Sequence, residues 1–174
     1  MLLKNGDELL LRKAEKKDAL GIVDYCNIVG GESDNLTFGL NEFNVTIEQE
    51  VNFIEEMNAS KTSLLLVGLI ENRIVCVGSV SAESRERLSH QCSIGMSVLK
   101  NYWGLGIGTC LLKEIIHFAK QTGKIEIVHL GTRTDNIRSI ELYRKFGFQE
   151  IGVYRKFFKI CDKYYDELLM NLYL

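Results

Sequence analysis

Proline is absent from the chain, which removes cis-proline isomerisation as a slow folding step. Cysteine is sparse. Cys26, Cys76, Cys92, Cys110 and Cys161 are odd in number and no two form a CxxC pair, so a disulfide framework is excluded. Thiols scattered among apolar neighbours read as small core hydrophobes in a reducing, cytoplasmic setting. The three histidines, His90, His117 and His129, show no HExxH or comparable ligand spacing, so no metal is expected. Long hydrophobic runs are missing too. The longest, residues 64–70, falls far short of the ~20 residues of a membrane span, and no membrane partner is expected. The first eight residues lack a long apolar stretch and a small-residue cleavage site, so they do not read as a signal peptide. Nor is there an excess of one charge. Lys plus Arg number 21 against 23 Asp plus Glu, and the basic surplus of a nucleic-acid binder is lacking.

What remains is the composition of an average soluble globular protein, 46% hydrophobic and 25% charged over 174 residues. No repeat, linker or low-complexity tract divides it, so residues 1–174 are expected to form a single domain. Periodicity predicts a strand near 9–12, then a helix from about Asp18, with Asp18 as N-cap and Leu20, Val23 and Cys26 on one face. Residues 29–45 read as a long loop, and loops of that length are often functional. A second helix starts at Thr46, where Thr46 and Gln49 fit a capping box and Ile47, Val51, Ile54 and Met57 make a stripe. Branched apolar runs at 63–70 and 74–80, joined through Glu71-Asn72-Arg73, predict a hairpin, followed by a strand at 92–98. Helical period returns over 109–121, ending at Gly123. A strand at 125–132 leads into a helix over 136–146 closed by Gly147, and strands at 148–154 and 167–172 end the chain. The fold class is α/β (α+β), with a mixed central sheet.

The most informative segment is Gly104-Leu105-Gly106-Ile107-Gly108-Thr109, between a strand and a helix. Glycines let the chain turn sharply there, and the first amides of a helix are unpaired and partly positive. Such a turn is an anion site, most often for phosphate. A Walker A loop would end in GK[ST], and Lys is missing; a dinucleotide fingerprint would space its glycines GxGxxG. A second segment runs Leu130-Gly131-Thr132-Arg133-Thr134-Asp135-Asn136-Ile137-Arg138-Ser139-Ile140-Glu141-Leu142-Tyr143-Arg144-Lys145-Phe146-Gly147-Phe148. Asn136 and Tyr143 are seven apart, so two helical turns bring them to one face.

Together the two segments resemble the GNAT superfamily of acetyl-CoA-dependent N-acetyltransferases. The resemblance extends over nearly the whole chain and implies a mostly antiparallel central sheet flanked by about four helices. It implies that the glycine loop, Trp103, Gly104, Leu105, Gly106, Ile107, Gly108 and Thr109, holds the pyrophosphate of coenzyme A. Met96, Ser97 and Val98 would line the pantetheine arm, an amide of theirs polarising the thioester carbonyl. Asn136 and Tyr143 would complete the cofactor site, with Tyr143 as the acid that protonates the departing thiolate. Two positions depart from the family pattern. Trp103 stands where Arg or Gln usually begins the loop, and Gly131 stands where some members carry a catalytic glutamate.

An amine attacks a thioester only when neutral, and for a lysine-like amine that fraction is on the order of one in a thousand at pH 7. Glu32, Asp34, Glu83 and His90 are the candidate bases. The long loop carries Glu32, Asp34, Phe38 and Phe43, and carboxylates beside rings suit a cationic amine. Tyr164-Tyr165-Asp166 could close the same pocket, with Tyr165 in contact with the acceptor. The expected partners are acetyl-CoA as co-substrate and a small-molecule amine or peptide N-terminus, with a homodimer left open. The alternative is a non-catalytic acyl-CoA-binding regulatory domain of the same fold, which Trp103 and Gly131 favour and Asn136 and Tyr143 oppose.

Overall fold

The computed structural model describes residues 1–174 and has seven strands and four helices. They are β1 (Leu10–Lys13), α1 (Ala19–Gly30), α2 (Ile47–Ala59), β2 (Leu64–Ile70), β3 (Arg73–Ala82) and β4 (Gln91–Val98), then α3 (Ile107–Gln121), β5 (Ile127–Arg133), α4 (Ile137–Lys145), β6 (Gln149–Ile160) and β7 (Lys163–Tyr173). One mixed sheet has the order β1-β2-β3-β4-β5-β7-β6. Every neighbouring pair is antiparallel except β4 with β5. The expected fold class is therefore the observed one.

β2 is buried on both faces along its whole length, because α1 and α2 lie on one side of the sheet and α3 and α4 on the other. Ile22, Tyr25, Val29, Ile54 and Met57 pack with Leu65, Val67 and Leu69 in one cluster. Leu111, Leu112, Ile115, Ile140 and Tyr143 pack with Val75, Val80, Cys92 and Val128 in the other. Removing this much branched apolar surface from water is the main driving force for the fold.

The expected hairpin closes through Glu71 and Asn72, both at positive φ, as a two-residue turn requires. The capping box at α2 is also present: Gln49 N–H donates to Thr46 Oγ1 at 3.2 Å and Thr46 N–H to Gln49 Oε1 at 2.8 Å. Its apolar stripe differs from expectation, since Ile47 is exposed and Glu50 is buried in its place. The buried positions 50, 54 and 57 follow the i, i+4, i+7 rule, starting one turn later than Ile47.

Asp18 does not cap α1. Its carboxylate turns back to a bidentate pair with Arg12, at 2.6 and 2.8 Å, and accepts from the Glu15 amide at 2.8 Å. Those contacts brace a short 3-10 turn at Lys16–Asp18 that ties β1 to α1. The buried face of α1 is then Ala19, Ile22, Tyr25, Cys26 and Val29, and Leu20 faces solvent. At the C-terminus, β6 and β7 are longer than expected. They form one hairpin through Cys161 and Asp162, both at positive φ, and β7 inserts between β5 and β6.

Candidate active site

The parallel pair β4–β5 opens a fork in the middle of the sheet. Register runs Gln91↔Ile127, Cys92↔Val128, Ser93↔His129 and stops there, although β4 continues to Val98 and β5 to Arg133. On its other side β4 stays paired with β3, Met96 opposite Gly78 and Val98 opposite Cys76. Residues 94–98 therefore present a strand edge with no ladder partner on the β5 side. Met96, Ser97 and Val98 all lie on it. Alternation sends Ile94, Met96 and Val98 toward α3. Ser97 points the other way, where its Oγ accepts from the buried Tyr25 hydroxyl of α1 at 2.9 Å.

At the open end of the fork the chain turns into α3. Gly104 and Gly106 sit at φ 85° and 94°, the left-handed region in which a Cβ is strained, so glycine suits both. Gly106 caps α3 with no side chain, and the first helical bond runs from Cys110 N–H to the Gly106 carbonyl at 3.1 Å. The amides of residues 104–109 donate to no acceptor in the chain. Six free donors, from the glycine turn and the first turn of α3, make a positive site suited to an anion such as a pyrophosphate. Gly104, Leu105, Gly106, Ile107, Gly108 and Thr109 thus share one turn with unpaired amides.

Trp103 turns back on the strand. Its indole N–H donates to the Val98 carbonyl at 2.7 Å, which secures the turn to β4. The Arg138 guanidinium stands 5.5 Å from the Trp103 ring centroid, and a Cβ on Gly104 would have Arg138 Nη2 as its sole neighbour, at 4.0 Å. A cation thus reaches this positive site from α4, although the family's cationic or amide side chain is missing at position 103. Sequence reasoning overlooked Arg138, whose signal was an arginine two residues past a helix cap.

Asn136 caps α4, accepting from Ser139 N–H at 3.4 Å while its Nδ2 donates to Thr132 Oγ1 at 3.3 Å. Tyr143, two turns on, is only 8% exposed and packs its ring 5.7 Å from that of Phe148. Burial pushes its phenol up to about 12. No group of the chain hydrogen-bonds that hydroxyl, and it is not sealed from solvent.

The loop between α1 and α2 folds toward the same region. Glu32 accepts from the Lys100 amide at 2.6 Å, so its carboxylate braces the approach to the glycine turn. The Asp34 carbonyl accepts from Arg133 at 3.1 Å. Arg133 is 6% exposed, is bidentate with Asp135 at 2.9 and 2.7 Å, and lies 3.7 Å over the Tyr165 ring. It thereby clamps β5, β7 and the loop together. A cavity of about 590 Å³ opens between Glu32, Asp34, Trp103, Arg133, Asn136 and Arg138. Phe38 and Phe43 pack on each other at 5.5 Å, within the cluster under α1 and α2. Glu83 and His90 lie elsewhere. Both precede β4 at the closed end of the fork, where the His90 carbonyl accepts from the amides of Glu126 and Ile127. They are not brought to the site.

A row of unpaired amides at a helix N-terminus thus opens beside a forked mixed sheet, an arrangement that suits an anionic ligand. The model of the acetyltransferase (GNAT) family matches residues 36–148, and the chain belongs to that family. The acetyltransferase of GNAT family from Streptococcus pneumoniae superposes with a TM-score of 0.93 at 29% identity, covering 96% of this chain and 100% of that one. The N-alpha-acetyltransferase RimI of Mycobacterium tuberculosis is 41% identical over 59 residues, 34% of this chain and 35% of the relative. The L-amino acid N-acetyltransferase AaaT of Escherichia coli is 26% identical over 105 residues, 60% of this chain and 65% of the relative. The chain thus spans less than two thirds of the length of either curated relative. Of the helices, none is long and apolar enough to cross a membrane, and no group of three or more His, Cys, Asp or Glu could hold a metal ion.

Proposed function

We propose that this protein transfers the acetyl group of acetyl-CoA to the α-amino group of a small molecule or peptide N-terminus by direct attack. The observation that carries the reading is the row of six undonated amides at residues 104–109, opening beside the unpaired edge of β4. Those amides and Arg138 hold the pyrophosphate, and the edge at Met96, Ser97 and Val98 lines the pantetheine arm. An amide of that edge stabilises the oxyanion as the tetrahedral intermediate forms. Tyr143 donates to the departing thiolate, for which its protonated, unpartnered hydroxyl is suited.

An α-amine is favoured on chemical grounds. For a peptide N-terminus a pKa of about 7.7–8.0 leaves on the order of a tenth of it neutral at pH 7, far more than of a lysine side chain. The names of the two curated relatives, which act on N-alpha or L-amino acid amines, support the same class. Asp34, exposed at the mouth of the cavity, supplies the negative charge that draws in the ammonium, and the Tyr165 ring backs the Arg133 that lines the same cavity. Glu32 contributes at one remove, by holding the turn through Lys100.

A thermal-shift titration tests the cofactor half of the reading. Coenzyme A and acetyl-CoA should raise Tm with the logarithm of their concentration, and ATP and NAD should not. A shift with ATP and none with coenzyme A would refute it.

A further inference from the structure

We propose that Glu167 of β7 is the proton acceptor for the incoming amine, its carboxylate standing at the fork in the space a side chain at position 131 would fill. The inference rests on the acetyl-transfer reading and adds to it the base that reading lacks.

Three observations converge on Glu167. The first is position. A Cβ placed on Gly131 would collide with the Glu167 carboxyl group, so that group lies directly over the bare backbone of β5. Gly131 is two residues beyond the last β4–β5 pair, which is the start of the opening. Gly95 is two residues beyond that pair on β4, and both glycines are exposed in mid-sheet. Two side-chain-free positions on one face of the fork leave a floor on which a small nucleophile can approach, and Glu167 overhangs it.

The second is freedom. Glu167 pairs in register with Arg133 on β5 and with Tyr154 on β6, so all three share this face. The Arg133 guanidinium is already committed to Asp135, the Asp34 carbonyl and the Tyr165 ring. The Glu167 carboxylate forms no ion pair, and burial alone raises its pKa. Facing it from the surrounding strands are Ser93, Gly95 and Ser97 of β4, His129 and Arg133 of β5, Tyr154 of β6 and Tyr165 and Asn171 of β7. A half-buried carboxylate without a cationic partner is held ready to take a proton, and its raised pKa brings it nearer that of an α-amine.

The third is sidedness. Glu167 lies on the α1 face of the fork, whereas Tyr143 belongs to the cluster under α3 and α4. Base and acid therefore flank the sheet opening from opposite sides, as direct attack with departure of the thiolate requires. The step balances. Glu167 takes one proton from the ammonium, and the freed nitrogen lone pair forms the N–C bond. The C–S bond then breaks with its electron pair passing to sulfur, which takes a proton from Tyr143. The tetrahedral nitrogen loses its extra proton, which restores the phenol through water. Glu167 returns its own to solvent, so one proton is released per turnover.

Steady-state thiol release from acetyl-CoA, with free L-amino acids and an alanine-initiated tetrapeptide as probes, tests the assignment on the full chain. Glu167→Gln should cut kcat/KM for the amine by roughly 10²–10³, with Tm and the KM for acetyl-CoA nearly unchanged. The fall of kcat toward acid pH in the natural protein, where the carboxylate protonates, should vanish in the variant. Glu167→Ala combined with Gly131→Glu moves the carboxylate across the strand pair without the collision and should recover much of the rate. A Glu167→Gln enzyme with full kcat/KM, or one slowed with its acid limb intact, overturns the assignment and leaves the acetyl-transfer reading standing. A natural protein that binds acetyl-CoA and acetylates no probe overturns both.

Discussion

Tyr143→Phe is the substitution whose outcome the structure defines most closely. The ring is 8% exposed and packed on Phe148, and Phe preserves that contact. Its hydroxyl has no partner in the chain, so deletion leaves no donor or acceptor stranded. The stability change should stay under ~1 kcal/mol. The kinetic effect should be large. Burial holds the phenol at about 12, well above an ordinary thiol near 8.5, so it stays protonated at every pH where the enzyme is assayed. A donor used only as sulfur departs lowers kcat and kcat/KM together, here by roughly 10²–10⁴, and leaves the affinity for acetyl-CoA alone. Because the phenol titrates only near 12, an alkaline limb below pH 10 in the natural enzyme would belong to another group. Stopped assays of free thiol with both proteins, alongside thermal melts, measure all of this. Unchanged kcat with unchanged stability would refute the role and hand the proton to water.

Three further outcomes follow from other contacts. The hydrogen bond from Arg12 holds the Asp18 carboxyl below its usual range, so the stability it contributes is present above about pH 4 and fades as pH falls through the folded-state value. Asp18→Asn should cost about 3 kcal/mol at pH 7 by urea melt and remove that part of the acid sensitivity. Arg138→Ala should raise KM for acetyl-CoA roughly tenfold at low salt and less at high salt, with kcat little changed. Asp34→Lys should raise KM for a cationic amine several-fold and spare KM for acetyl-CoA; equal effects on both would place Asp34 outside the acceptor path.

The parts of the molecule legible in the sequence are those encoded within one helix or one turn. The glycine turn at 104–108 and the spacing of Asn136 and Tyr143 are local signals, and both led to the right elements. The helix they open starts at Ile107, two residues earlier than its apolar period shows, because Ile107 and Gly108 belong to the turn motif and the first helical turn at once. The β6–β7 hairpin was only half visible. Its outer half alternates Lys, Tyr and Phe, and its turn at Cys161 and Asp162 lacks the glycine that announces most such turns. Glu32 reads as an acceptor ligand by composition, yet it is spent on an amide that only the folded loop brings within reach. Arg133 and Glu167 were invisible for the same reason: their neighbours are set by sheet register, and β7 reaches β5 only by inserting inside β6.

The central claim is that this chain moves an acetyl group from acetyl-CoA to an α-amine. The most direct measurement is free thiol released from acetyl-CoA in the presence and absence of L-amino acids and an alanine-initiated tetrapeptide, with the acylated amine identified by mass. Amine-dependent thiol release, matched one to one by an N-acetylated product, is the expected result. Thermal stabilisation by acetyl-CoA with no thiol released above the amine-free rate, for any of these amines, would contradict it.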